Sequence, residues 1–158
     1  MLQAMKKLLP ILSALFVIGS LGFAVAPVNA AKVVATNPPA TAKLTKNRLV
    51  IQISEDDTKK WNAVMGNLHN IQSELTKEGV AITVVAIGGG LGMLTAESLV
   101  ANRVEEAIAD GVRFVACGNS MAAQQVTKDD LTKGVHATKS GYVEIMRLQQ
   151  QGWIYLRP

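Results

Sequence analysis

The sequence predicts an α/β fold, a three-layer α/β/α sandwich around a mainly parallel five-stranded sheet. Three observations predict it. Short runs rich in β-branched residues alternate with segments whose apolar residues recur every three or four positions. Two of the runs, Val80–Ile87 and Val112–Cys117, are apolar almost throughout, the pattern of strands buried on both faces. Glycines 79, 111 and 152 fall where a helix gives way to the next strand. The order β-α-β-α-β-α-β-α-β then implies right-handed crossovers and helices on both sheet faces.

The N-terminus reads differently. Residues 1–30 have the pattern of a secretory signal peptide. Lys6 and Lys7 give a positive start, and Leu8 to Val25 is almost unbroken apolar chain. Val28-Asn29-Ala30 supplies small residues for a signal peptidase, so cleavage is expected after Ala30. The alternative is an N-terminal membrane anchor, which Pro10, Gly19 and Gly22 weaken as a spanning helix. The expected compartment is the periplasm or the exterior. Residues 31–47 read as a linker, because Pro38-Pro39 disfavours helix and central strand alike. The domain is expected over residues 48–158.

Within that domain the first strand is Leu49–Ile53, rich in β-branched residues. Asp56 or Asp57 can cap the helix that follows. Its stripe is Trp61, Val64, Leu68, Ile71 and Leu75, and Gly79 ends it. After the second strand comes a glycine-rich loop, Gly88-Gly89-Gly90-Leu91-Gly92. Val100, Val104 and Ile108 mark a second helix stopped by Gly111. The third strand ends at Cys117, and a short helix is expected from about Met121. Val135–Thr138 reads as a short fourth strand. Ser140 can cap a last helix carrying Val143, Met146 and Leu148, before a final strand at Trp153–Leu156.

Composition bounds the function. Roughly 125 residues beyond the targeting segment suffice for one domain with a real core. Removing Lys6 and Lys7 from the 16 basic residues leaves 14, against 12 acidic ones. They are scattered, so no phosphate-neutralising surface is expected and nucleic acid is not a predicted partner. A single cysteine excludes an intramolecular disulfide and any CxxC-type oxidoreductase.

Ligands of parallel α/β sheets bind outside the carboxyl ends of the strands. Cys117 is placed there, at the end of a buried strand and before a helix start. Gly118 leaves room for a partner, and free N–H groups at the helix start favour a thiolate. The competing reading is a buried cysteine that only fills space. The glycine loop lacks Gly-Lys-Ser/Thr and has the spacing Gly88-x-Gly90-x-Gly92, so it is neither a P-loop nor a dinucleotide fingerprint. A tight turn with close backbone approach explains it, and a small-ligand or nucleotide site is the lesser alternative. Glu55, Asp56 and Asp57 fit helix capping and solvation. His69, His136 and Cys117 lack metal-ligand spacing. No metal or cofactor is predicted, and His69, beside the apolar stripe, is expected to be partly buried.

The segment Val112-Arg113-Phe114-Val115-Ala116-Cys117-Gly118-Asn119-Ser120-Met121 resembles the cysteine segment of the DsrE/DsrF-like sulfur-relay family, nearest its exported single-cysteine branch. VIQISEDDTKKWN from Val50, the Gly88–Leu94 loop and the ending Gly152-Trp153-Ile154-Tyr155-Leu156-Arg157-Pro158 agree, so the resemblance spans 48–158. It implies a five-stranded α/β/α domain that assembles as trimers or hexamers. It also implies that Cys117 carries sulfane sulfur as a persulfide, presented by Gly118, Asn119 and Ser120, while Gly88 and Gly90 of the glycine loop are further candidate binding residues. Donor and acceptor thiols would be the partners. The resemblance departs at Ile87, where relatives of that branch often have histidine. The expected function is thus sulfur carriage on Cys117, the alternative being a non-catalytic oligomeric binding module with a structural cysteine.

Overall fold

Alternating strands and helices build one parallel sheet in the computed structural model, which describes residues 47–158. The expected signal segment and all but the last residue of the expected linker lie outside the described residues. The strands are β1 (Asn47–Ile53), β2 (Val80–Ala86), β3 (Arg113–Cys117), β4 (His136–Thr138) and β5 (Ile154–Leu156). The helices are α1 (Thr58–Leu75), α2 (Ala101–Ala109), α3 (Gly118–Gln124) and α4 (Gly141–Gln150), with a 3₁₀ helix at Gly88–Leu94. The strand order is β4-β3-β2-β1-β5, and all four pairings are parallel.

The continuous apolar runs are the central strands, as their composition demands. β2 and β3 are buried on both sides, and alternate residues feed two separate cores. Leu49, Ile51 and Ile53 of β1 join Ile82, Val84, Phe114 and Ala116 under α1 and α2. Val50, Val85, Val115 and Cys117 turn the other way and pack under Ile145 and Leu148 of α4. Helices therefore lie on both faces, which makes three layers. The second face depends on α4 alone among the described residues, because this helix carries the chain from one sheet edge to the other.

The helix starts differ in their chemistry. Asp57 caps α1, its Oδ1 accepting the N–H groups of Lys59 at 2.9 Å and Lys60 at 3.1 Å. Ser140 stands at the equivalent place before α4, yet its hydroxyl makes no capping bond. Asp57→Ala is expected to cost about 1 kcal/mol and Ser140→Ala only a few tenths. Urea unfolding of the two variants checks this, and equal losses would contradict it.

Several boundaries move from the sequence reading. Thr76, with φ of 63°, ends α1 ahead of Gly79. Gly79 is still required, since a Cβ there would lie 1.8 Å from the Leu75 carbonyl oxygen. The glycine loop coils into a 3₁₀ helix. α3 begins directly at Gly118, three residues earlier than expected. In α4, Val143 and Met146 face solvent while Ile145 and Leu148 are buried. Tyr142-Val143-Glu144-Ile145-Met146 offers two apolar sides, and the sheet takes the one centred on Ile145. His69 is exposed rather than partly buried.

Candidate functional site around Cys117

β3 delivers Cys117 to the carboxyl edge of the sheet, where it is the last strand residue and the N-cap of α3. The register Cys117↔Thr138 sets the start of α3 beside the residues that follow β4. The Asn119 N–H donates to the Lys139 carbonyl at 3.2 Å and ties the two connections together. Gly118 is needed at this junction, because a Cβ would sit 2.7 Å from the Thr138 carbonyl oxygen. Gly141 is needed too, since its Cβ would meet Ile87 Cγ1 at 2.8 Å and Cys117 Cβ at 3.1 Å.

Cys117 is 3% exposed. The first N–H of α4, from Gly141, donates to Sγ at 3.2 Å. Burial pushes the thiol pKa up. The Gly141 N–H, the Ser120 hydroxyl and the N–H groups of Ser120 and Asn119 together outweigh it and hold the thiol below its ordinary value. Hydrogen bonds to the charged form favour that form, which is why these donors lower the thiol pKa against burial. Asn119 contributes least among these donors, and its N–H also donates to the Lys139 carbonyl.

The glycine loop reaches the same place through α3. Gly88, with φ of +55°, donates its N–H to Ser120 Oγ at 2.8 Å and accepts at its carbonyl from Gln124 Nε2 at 2.7 Å. The Ser120 oxygen accepts from Gly88, and its hydroxyl is among the groups that lower the thiol pKa. Gly90 lies elsewhere. It is buried, and its backbone packs on the end of β1. Gly89 packs against Asp56 and Gly92 against the Trp61 ring, so most of the loop's backbone is taken up by the β1–α1 connection.

Of the residues singled out in the sequence, Cys117, Gly118, Asn119, Ser120 and Gly88 thus converge, while Gly90 is set apart. Gly141, Gln124 and Lys139 complete the group, and sequence reasoning missed them. Gly141 is 24 positions from the cysteine, and only the β3–β4 register brings them together. His69 lies on α1 and His136 on β4, both exposed, and neither joins the cysteine. No cluster of three or more His, Cys, Asp or Glu that could hold a metal ion forms among the described residues. The acidic trio behaves as charge and cap: Glu55 pairs with Arg157 at 3.0 Å and Lys60 at 3.6 Å. A cavity of 360 Å³ near Ile51, Val64 and Leu156 opens on the α1 face, away from the sulfur.

The sequence model of the DsrE/DsrF-like family matches residues 33–158. A solved structure of a protein of unknown function, MTH1491 from Methanobacterium thermoautotrophicum, is 38% identical, with a TM-score of 0.68. The match covers 71% of this chain and 99% of that one. A conserved protein of unknown function, BT1422 from Bacteroides thetaiotaomicron, shares the fold at 15% identity and a TM-score of 0.61, over 74% of this chain and 99% of its own. The ychN protein from E. coli does so at 11% identity and 0.57, over 72% of this chain and 100% of its own. No curated protein matches the chain. With a family match over most of its length and a 38% identical structural relative, the chain belongs to the DsrE/DsrF-like family.

Proposed function

We propose that this protein is a sulfur carrier that holds sulfane sulfur as a persulfide on Cys117. The family is linked to sulfur relay. The observation that carries the reading is the Gly141 N–H that donates to the single sulfur at 3.2 Å, at the sheet's carboxyl edge and the start of α3. Such donors favour a thiolate, the nucleophilic form of cysteine. The Cys117 thiolate attacks the terminal sulfur of a polysulfide. A Cys117–S bond forms, the donor's terminal S–S bond breaks, and the shortened polysulfide leaves with the electron pair. An acceptor thiolate then attacks the outer sulfur of Cys117–S–S⁻, and Cys117 departs as thiolate. Gly118 and Asn119 line the approach, and the Ser120 hydroxyl and Gly88 steady the charge.

The test is uptake of sulfur by the whole protein. After polysulfide exposure and removal of excess, intact mass should rise by about 32 Da, reversibly with dithiothreitol, and not in Cys117→Ser. Alkylation of Cys117 should reach half-maximal rate below the free-thiol value of about 8.5. No labile sulfur, together with a midpoint at or above that value, would sink the proposal.

Burial of the sulfur favours a second reading, in which Cys117 belongs to the core with Val115, Ile87 and Ile145. The protein is then a non-catalytic oligomeric module, and Cys117→Ala costs stability and nothing else. Under the first reading the 118–119 and 139–141 segments must part for the sulfur to react.

The same proposal includes unidentified donor and acceptor thiols, and assembly as a trimer or hexamer. The exposed Tyr142, Met146, Ile154 and Leu156 are apolar surface suited to such contacts. It also includes export with cleavage after Ala30, for which the apolar 8–25 stretch behind Lys6-Lys7 is the support.

A further inference from the structure

β3 and β4 are neighbours whose outgoing connections leave to opposite faces of the sheet. α3 follows β3 and buries Met121 in the core under α1 and α2, whereas α4 follows β4 and buries Ile145 and Leu148 on the other side. That divergence opens a crevice at the strands' carboxyl ends, the place where open α/β sheets take ligands. A cleft of about 310 Å³ occupies it, lined by Asn119, Thr138, Lys139, Ser140, Val143 and Arg147. The volume is that of a small organic ligand.

Its chemistry is one-sided. Lys139 and Arg147 are the charged lining residues, no carboxylate lines the cleft, and neither cation forms an ion pair among the described residues. The nearby acid of α4, Glu144, is engaged by Arg113 at 2.7 Å. Asn119, Thr138 and Ser140 add neutral polar groups, and Val143 an apolar side. Three of the lining residues are bound into the cysteine's surroundings: the Asn119 N–H donates to the Lys139 carbonyl, and Ser140 precedes the Gly141 whose N–H reaches Sγ.

We infer that this cleft is a binding subsite for a low-molecular-weight thiol persulfide that carries carboxylates, with Lys139 and Arg147 holding the carboxylates in a cleft whose walls, Asn119 and Ser140, adjoin the Cys117 segment and Gly141. Arginine suits a carboxylate through paired N–H donors, and lysine adds a second positive charge. An inorganic sulfur anion is far smaller than the cleft and would leave the polar and apolar walls uncontacted. The choice of a sulfur-bearing ligand rests on the sulfur-carrier reading, but recognition of the carboxylates does not.

The experiment is calorimetric titration of the full chain bearing Cys117→Ser, which binds without reacting. Glutathione, of suitable size and with two carboxylates, is the probe, with cysteamine and thiosulfate in parallel. Saturable glutathione binding is expected, with none for cysteamine. It should weaken about tenfold in Lys139→Gln and again in Arg147→Gln, the loss of one charge-assisted contact each. Both side chains are exposed, and melting curves of the variants check that folding is kept. Absence of glutathione binding, binding of thiosulfate alone, or unchanged binding in the double variant overturns the inference. Failure of the two readings is distinguishable. If the native chain takes up no sulfur but Cys117→Ser binds glutathione through the two cations, the cleft stands and sulfur carriage falls. If the double variant with Cys117 intact takes sulfur from glutathione persulfide as fast as the native chain, the cleft falls and sulfur carriage stands.

Discussion

Gly90→Ala is expected to destabilise the protein by about 3 kcal/mol or more, at the upper end of what overpacking costs. A Cβ at this position would lie 2.3 Å from the Ile53 carbonyl oxygen, 2.6 Å from its carbon and 2.9 Å from the Ser54 nitrogen. All three atoms are backbone, so no side chain can rotate away. Ile53 ends β1, which is paired on both sides, with β2 and β5. Its carbonyl also accepts the Ile87 N–H at 2.8 Å, which anchors the start of the glycine loop. Relief of the clash would therefore have to move a central strand or tear the loop from it. Gly66 is the natural control, because a Cβ there meets nothing within 4 Å. In the interior of α1, Gly66→Ala should stabilise by about 0.5–1 kcal/mol. Urea unfolding reads both, and a Gly90→Ala loss below about 1 kcal/mol would contradict the packing.

Gly141→Ala is expected to act on the cysteine as well as on stability. Its Cβ would enter a space bounded by Ile87 Cγ1 and Cys117 Cβ, at 2.8 and 3.1 Å. These are side-chain atoms, so the cost is smaller, about 1–3 kcal/mol. The first turn of α4 would be pushed off the cysteine and the Gly141 N–H would leave Sγ. The thiol pKa should then rise toward its ordinary value, since this N–H heads the groups that lower it against burial. A thiol held low in the folded state contributes stability that is present above the unfolded value of about 8.5 and is lost as pH falls through the folded value. That pH dependence should shrink in the variant. Alkylation rate against pH and unfolding free energy against pH measure the two effects. An unchanged alkylation midpoint in a folded Gly141→Ala protein would remove Gly141 from the site.

Local pattern made much of this architecture readable. The stripe of α1 could be read because Trp61, Val64 and Leu68 repeat with the helical period and face one sheet. The central strands were legible because burial on both faces leaves no place for polar residues. α4 was misread because its sequence offers two apolar sides, and docking on the sheet chose between them. His69 was misread for a related reason: a position next to an apolar stripe is buried only if a neighbour covers it. For the site, Cys117, Gly118 and Ser120 stood out because they are contiguous. Gln124 carried no signal, since its bond to Gly88 joins residues 36 positions apart.

The sequence by itself determined that a lone cysteine ends the third strand of a parallel sheet, because an apolar run followed by a helix start has few other solutions. It also determined the family, through segments spread over the whole domain. Tertiary structure alone decided what surrounds the sulfur. The parallel register of β3 and β4 and the passage of α4 across the second face bring Gly141, Lys139 and the cleft to Cys117, and bury it. Those contacts come from chain crossing and strand order, which periodicity does not encode.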